Sequence, residues 1–236
     1  MLEELKEQLR AHASPQKARV LAGFFKTGKG QYGEGDVFLG VTVPHIRALV
    51  KKFHALSFQE IRELLDSEFH EERLCGLLIM VYRFERGDSK ERRAMYRLYR
   101  ALMRRVNNWD LVDLSAPNIV GEYLLQTKDS GAVLVMLAKS KNLWYRRIAM
   151  LATFAFIKKG SSVPTFNIAR ILLNDREDLI QKAVGWMLRE VGKRVGQDVE
   201  EEFLKKTYQR MPRTMLRYAI ERFPRRLARA YMDGKI

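Results

Sequence analysis

Acidic residues are scarce in this 236-residue chain: 28 Asp and Glu face 43 Lys and Arg, a net charge of +15 with a pI near 10.0. A folded chain this basic meets a polyanion, and nucleic acid fits that role better than a membrane surface. Cysteine is nearly absent. The single Cys75, in the apolar run "RLCGLLIM", excludes a disulfide framework and a thiolate metal site and reads as a buried, inert thiol. The four histidines, His12, His45, His54 and His70, are scattered, and no HExxH or CxxC spacing occurs, so no metal or other cofactor is expected. No Ser-His-Asp order stands out. No apolar run approaches the roughly 20 residues of a membrane span. The N-terminal "MLEELKEQLR" is too charged for a signal peptide, so the expected location is the cytoplasm, or the nucleoid in a bacterium. Sustained period-2 alternation is also missing, which excludes a sheet.

What remains is helical almost throughout. The six prolines, Pro15, Pro44, Pro117, Pro164, Pro212 and Pro224, mark helix ends, with Ser14 an N-cap ahead of Pro15. Pro117 falls inside a helical pattern and predicts a kink or break. Five segments align: "ERLCGLLI", "WDLVDLSA", "RRIAMLAT", "QKAVGWML" and "LRYAIERF". Their second residues, Arg73, Asp110, Arg147, Lys182 and Arg217, are spaced 37, 37, 35 and 35 apart. Each step holds two helices and two turns, the spacing of stacked helical hairpins. The expected fold is all-α: one right-handed α-solenoid domain of HEAT-like hairpins over 1–236, with residues 1–55 a helical cap and 56–236 the repeats. Four of the five aligned positions are basic, and Arg146, Arg189, Lys193 and Arg194 lie nearby. If these segments line the inner face, a basic stripe along a concave groove can follow a phosphate backbone.

The second repeat departs from this rule. It reads "NNWDLVDLSAP", placing Trp109 and Asp113 on one helical face with Asp110 close by. A carboxylate on the floor of a basic groove suits a developing positive charge or an oriented water, or else a structural ion pair with a neighbouring Arg. The three tryptophans, Trp109, Trp144 and Trp186, fall on equivalent segments and read as a site wall or as core. The stretch "GFFKTGKGQYGEGD", Gly23 to Asp36, nearly spells two phosphate-binding motifs, but it leaves a helix rather than a strand. It reads as a glycine-hinged connector, as a loop contacting DNA through Lys26 or Lys29, or, least in keeping with its context, as a nucleotide site.

"WDLVD", "LWYRR", "IQKAVGWMLRE" and the N-terminal "FFKTGKGQYGEGDVFLGVTVPHIR" together resemble the AlkD-type DNA alkylation-repair glycosylases, over roughly residues 15–220. The resemblance implies a solenoid that removes cationic N3- and N7-alkylated purines from duplex DNA without flipping the base, acting as a monomer and without a membrane. It implies that Asp113 is the catalytic carboxylate, with Trp109 and Trp186 beside the reacting sugar and Arg147 on a phosphate. Trp144 is then packing. The family's aromatic residue, typically Tyr, matches Phe24 here, or Phe25 after a one-residue shift. Lys26, Lys182, Arg189 and Arg217 are the further expected DNA contacts. Two other readings compete: a non-catalytic scaffold for bent, branched or damaged DNA, and a solenoid whose groove holds an acidic peptide.

Overall fold

A computed structural model describes residues 1–127 and 129–236. Among them the chain is all-α and solenoid-like, a succession of helices with no strand and one isolated bridge between Val37 and Phe69. It divides into two compact units, Met1–Ile119 and Val120–Ile236. The first holds α1 (Leu2–Ala11), α2 (Pro15–Phe24), α3 (Val43–Phe53), α4 (Phe58–Asp66), α5 (His70–Arg86), α6 (Ser89–Leu102) and α7 (Trp109–Ala116). The second holds α8 (Glu122–Leu124), α9 (Ser130–Ala138), α10 (Leu143–Ala152), α11 (Phe154–Lys158), α12 (Val163–Leu172), α13 (Asp178–Arg194), α14 (Gln197–Thr207), α15 (Arg213–Ala219) and α16 (Arg225–Met232). The five aligned positions fall on α5, α7, α10, α13 and α15, each pair separated by at least one helix.

The prolines act where their chemistry allows. Pro15, Pro44 and Pro164 open helices, where the missing N–H costs no hydrogen bond, and Pro212 and Pro224 immediately precede α15 and α16. The Ser14 hydroxyl accepts from the Lys17 amide. Pro117 ends α7 in a π turn, Pro117–Gly121. Ser57 and Glu60 close a reciprocal capping box at the start of α4.

In the first unit, α5 is the central element and packs on α3, α4, α6 and α7. Its buried face carries Leu77, Ile79, Met80 and Cys75, whose thiol is pushed up to about 12 by burial and by the charge of Glu72. The first turn of α5 is unusual: His70, Glu71, Glu72 and Arg73 are consecutive and all buried. Buried charge must find partners. Glu71 accepts the amides of Leu39, Gly40 and Val41 at 2.9, 2.8 and 3.2 Å, and Glu72 pairs with Arg10 of α1. By contrast α2 buries no side chain. It is docked by the Ser14 amide on Leu39 O, and by a close approach at Gly40, where any Cβ would collide with Ser14 O and where φ is +82°. In the second unit α13 is central, packing on α10, α12, α14 and α15.

Candidate functional site

The site begins with how α7 is seated. Asn108 is fully buried; its Oδ1 accepts the Trp109 amide and its Nδ2 donates to Asp36 Oδ2, both at 2.8 Å. Asp110 accepts the Leu111 amide through Oδ1 and faces His70 Nε2 through Oδ2, again at 2.8 Å. His70 Nδ1 lies 3.1 Å from Asp36 Oδ2, and Arg73 Nη2 donates to Asp36 Oδ1 at 2.5 Å. Arg73 also donates to the carbonyls of Ser67 and Glu68. A neutral imidazole has one N–H and cannot donate to both carboxylates. Burial alone would strip the proton from His70, but the hydrogen bonds and charges of Asp110 and Asp36 override it and raise its pKa to about 9. Burial likewise works against the Asp36 carboxylate, yet His70, Arg73 and Asn108 together hold its pKa below the usual value. Two carboxylates and two cations leave the cluster neutral.

This corrects two sequence expectations. Arg73 does not belong to a basic stripe, because its guanidinium is buried on Asp36. The histidines are not merely scattered, because His70 joins two segments that lie 34 and 40 residues away. The one local signal for His70 is the row of four ionisable residues, His70 to Arg73, directly ahead of the apolar run of α5.

Above this cluster lies a chain of rings. Phe38 stacks on His70 with centroids 4.6 Å apart, and Phe25 stacks on Phe38 at 5.0 Å. Trp109 stacks on Phe25 at 5.0 Å with 15° between planes, and Phe24 meets the Trp109 ring edge-on at 5.8 Å. The two phenylalanines differ in exposure: Phe25 is 6% exposed and Phe24 is 62% exposed. Phe25 is core, and Phe24 presents its ring to solvent beside Trp109.

The glycine stretch that follows is tied to itself. Gly33 N donates to Lys26 O, Gly28 N to Gln31 Oε1 and Gly30 N to Glu34 Oε2, so these three glycine amides are already engaged within the connector. Gly33 leaves no room for a Cβ against Phe25 O. Lys26 has φ +54° and is exposed, with its Nζ 5.9 Å from the Tyr32 ring, and Tyr32 Oη donates to Phe24 O at 3.4 Å. The segment is a connector with a closed stem.

Asp113 stands one helical turn after Trp109, half-buried in the wall of a cleft of about 540 Å³. The cleft is also lined by Arg47 and Lys51 from α3 and by Tyr82, Glu85 and Arg86 from α5, with Arg86 paired to Glu85 at 3.6 Å and lying 3.8 Å from the Tyr82 ring centroid. These three cations were not among the residues expected from the repeat alignment, since α3 carries no aligned position and Arg86 ends α5, 13 residues beyond its aligned Arg73. Among the described residues no three His, Cys, Asp or Glu side chains are placed to share a metal ion. No described helix is long and apolar enough to cross a membrane.

The remaining expected residues lie in the second unit. Trp186 is half-buried on α13, and Trp144 is buried on α10 as a packing residue would be. Arg147 is 5% exposed and its Nη1 donates to Leu179 O at 2.5 Å. Lys182 pairs with Asp178 at 2.6 Å and Arg189 with Glu221, while Arg217 is exposed on α15. Arg146, also basic and adjacent to the aligned position, is engaged by Asp175 at 2.7 Å.

A family model described as DNA alkylation repair enzyme matches residues 5–223. The solved structure of a predicted DNA alkylation repair enzyme from Enterococcus faecalis superposes with a TM-score of 0.70 at 18% identity, covering 91% of this chain and 98% of that one, a likeness of fold. A search of curated proteins gave no match.

Proposed function

The chain belongs to the DNA alkylation repair enzyme family, and on that premise we propose that it is a DNA glycosylase hydrolysing the N-glycosidic bond of N3- and N7-alkylated purines in duplex DNA. The observation that carries the reading is the placement of Asp113, one turn from Trp109, in a cleft where Arg47, Lys51 and Arg86 outnumber Glu85 and Asp113. A carboxylate is repelled by a phosphate backbone, so it belongs beside DNA only where something positive develops. Arg47, Lys51 and Arg86 would hold the flanking phosphates that bring it there.

The chemistry needs little else. Alkylation at N3 or N7 makes the purine a cation and a good leaving group, so no acid is required to protonate it. As the bond to C1′ lengthens, the base departs neutral and the sugar gains oxocarbenium character. Asp113 would stabilise that charge and orient the water that attacks C1′, accepting its proton. The exposed ring of Phe24 and the face of Trp109 would flank the same cation. Selection then follows leaving-group lability, and the base need not enter a pocket.

The test is release of 7-methylguanine from methylated duplex DNA. Asp113→Asn keeps the shape and removes the charge; excision should fall about 10²–10³-fold, with duplex affinity unchanged within about twofold. Excision by the Asn variant at the wild-type rate would remove the proposed role of Asp113. Tight duplex binding by the wild type without any base release would point instead to a non-catalytic DNA-binding protein.

A further inference from the structure

The two residues flanking Trp109 are both held from the interior. Asn108 Nδ2 ends on Asp36, and Asp110 Oδ2 ends on His70, which itself reaches Asp36 through its other nitrogen. Trp109, between them, packs on Phe25 and Phe24. The anchor and the site residues therefore share one helical turn. Asp113 follows Asp110 by three residues, so a shift of that turn moves Trp109 and Asp113 together. α7 has only eight residues before its π turn and cannot absorb such a shift along its length.

Asp110 is committed by this geometry. Its two oxygens are engaged by the Leu111 amide and by His70, so it is not a second acid or base beside Asp113. The neighbours of His70 on α5 are committed elsewhere, Glu71 to the amides of Leu39 to Val41 and Glu72 to Arg10. The charged groups facing the imidazole are Asp36 from the segment between α2 and α3, Asp110 from α7, and Arg73 through its bond to Asp36. The ring also stacks on Phe38 and lies 5.1 Å from Phe25, the residue that carries Trp109.

We infer that His70 is a positioning residue: by donating from both ring nitrogens it ties Asp110 to Asp36, and so fixes where Trp109 and Asp113 stand beside Phe24. The catalytic part of this inference rests on the glycosylase reading; the positional part does not. A glutamine at position 70 has both its N–H donors on one nitrogen, which cannot stand where both ring nitrogens of His70 stand, so it cannot bridge Asp36 and Asp110 as the imidazole does. His70→Gln should lower kcat for base release about 10- to 100-fold while leaving duplex Kd within about twofold, the pattern of misplaced groups rather than lost binding. Adding Asp110→Asn to that variant should cost little more, because both changes break the same link. Independent, additive losses would overturn the inference, as would full kcat in His70→Gln.

Nuclear magnetic resonance decides the positional part. Long-range proton–nitrogen spectra of the wild type at pH 7.5 should show both His70 ring nitrogens protonated; a neutral tautomer overturns the inference. The Trp109 indole N–H, assigned through Trp109→Phe, should shift in His70→Gln while those of Trp144 and Trp186 stay in place. If His70→Gln does not fold, Asp110→Asn carries the same readouts, and an unmoved Trp109 resonance overturns the inference. Should the wild type release no base at all, the glycosylase reading falls and the Trp109 resonance still decides what His70 does.

Discussion

Glu200→Gln should make the protein more stable at neutral pH. Glu200 lies on α14, 2% exposed, with its Oε1 without a hydrogen-bond partner and its other oxygen pressed against Gly192, where a Cβ would collide with it. Burial raises its pKa from 4.5 to about 9, and the positive charge of Arg189, itself paired with Glu221, offsets only part of that. The folded protein therefore keeps a proton that the unfolded chain releases above pH 4.5. Stability from this group is complete below that value, falls as pH rises, and levels off once the folded carboxyl also ionises near 9. At pH 7 the unfolded chain is about 2.5 units past its pKa, and at 1.36 kcal/mol per unit the loss is about 3 kcal/mol. That figure depends only on the folded pKa lying above 7. Glutamine has the same shape and no titration, but its amide N–H₂ must find acceptors, so about 1–3 kcal/mol of the gain should survive. In thermal melts this is a rise of roughly 2–12 °C for a chain of this size. At pH 4, where the carboxyl is protonated in both states, the advantage should vanish and the variant should melt below the wild type by the cost of the amide alone. Parallel pH profiles for wild type and variant would refute the reasoning, because they would mean that Glu200 is ionised in the folded state.

Two further predictions concern the first unit. Asp36→Ala leaves Arg73 and His70 buried with Asp110 as their one remaining carboxylate, and should cost about 3–5 kcal/mol in urea unfolding at pH 7. Asp36 has a depressed pKa, so its contribution is present above the ordinary carboxylate value and is lost as pH falls through the lowered one; the deficit should shrink in strong acid. A cost below about 1 kcal/mol would show that the cluster does not hold the unit together. Phe25→Ala should cost about 3–5 kcal/mol, since it removes a buried ring stacked on Phe38 and Trp109 and tilted against His70. Phe24→Ala should cost less than about 1 kcal/mol yet slow base release; equal stability losses in the two variants would contradict their assigned burial.

The repeat spacing and the prolines were readable in the sequence because each is a local signal with a fixed period or a fixed steric rule. The inertness of Cys75 and the break at Pro117 followed on the same grounds. Trp109 and Asp113 were legible because four residues along a helix is a contact. His70 was not, since its partners Asp36 and Asp110 are far away in sequence and no periodicity links them. Arg73 misled for a related reason: helix phase says which residues share a face, but not whether a basic face turns to solvent or to a buried carboxylate. Whether Phe24 or Phe25 is the exposed ring was likewise beyond adjacency. It is decided by α2 ending at Phe24, after which the chain turns Phe25 inward. Arg47, Lys51 and Arg86 became a set only once α3 and α5 were packed side by side.

The closed stem of the glycine connector has an engineering consequence. With Gly33 N bonded to Lys26 O, and Phe25 and Asp36 each fixed by their own neighbours, the span from Gly28 to Gln31, whose bonds stay within the connector, is a detachable module. Its length and sequence are uncoupled from the distance between Phe24 and Trp109. A fluorophore or a short tag grafted at Lys29 would ride beside the site without setting its geometry, and a homologue could swap this segment without redesigning the chemistry beneath it.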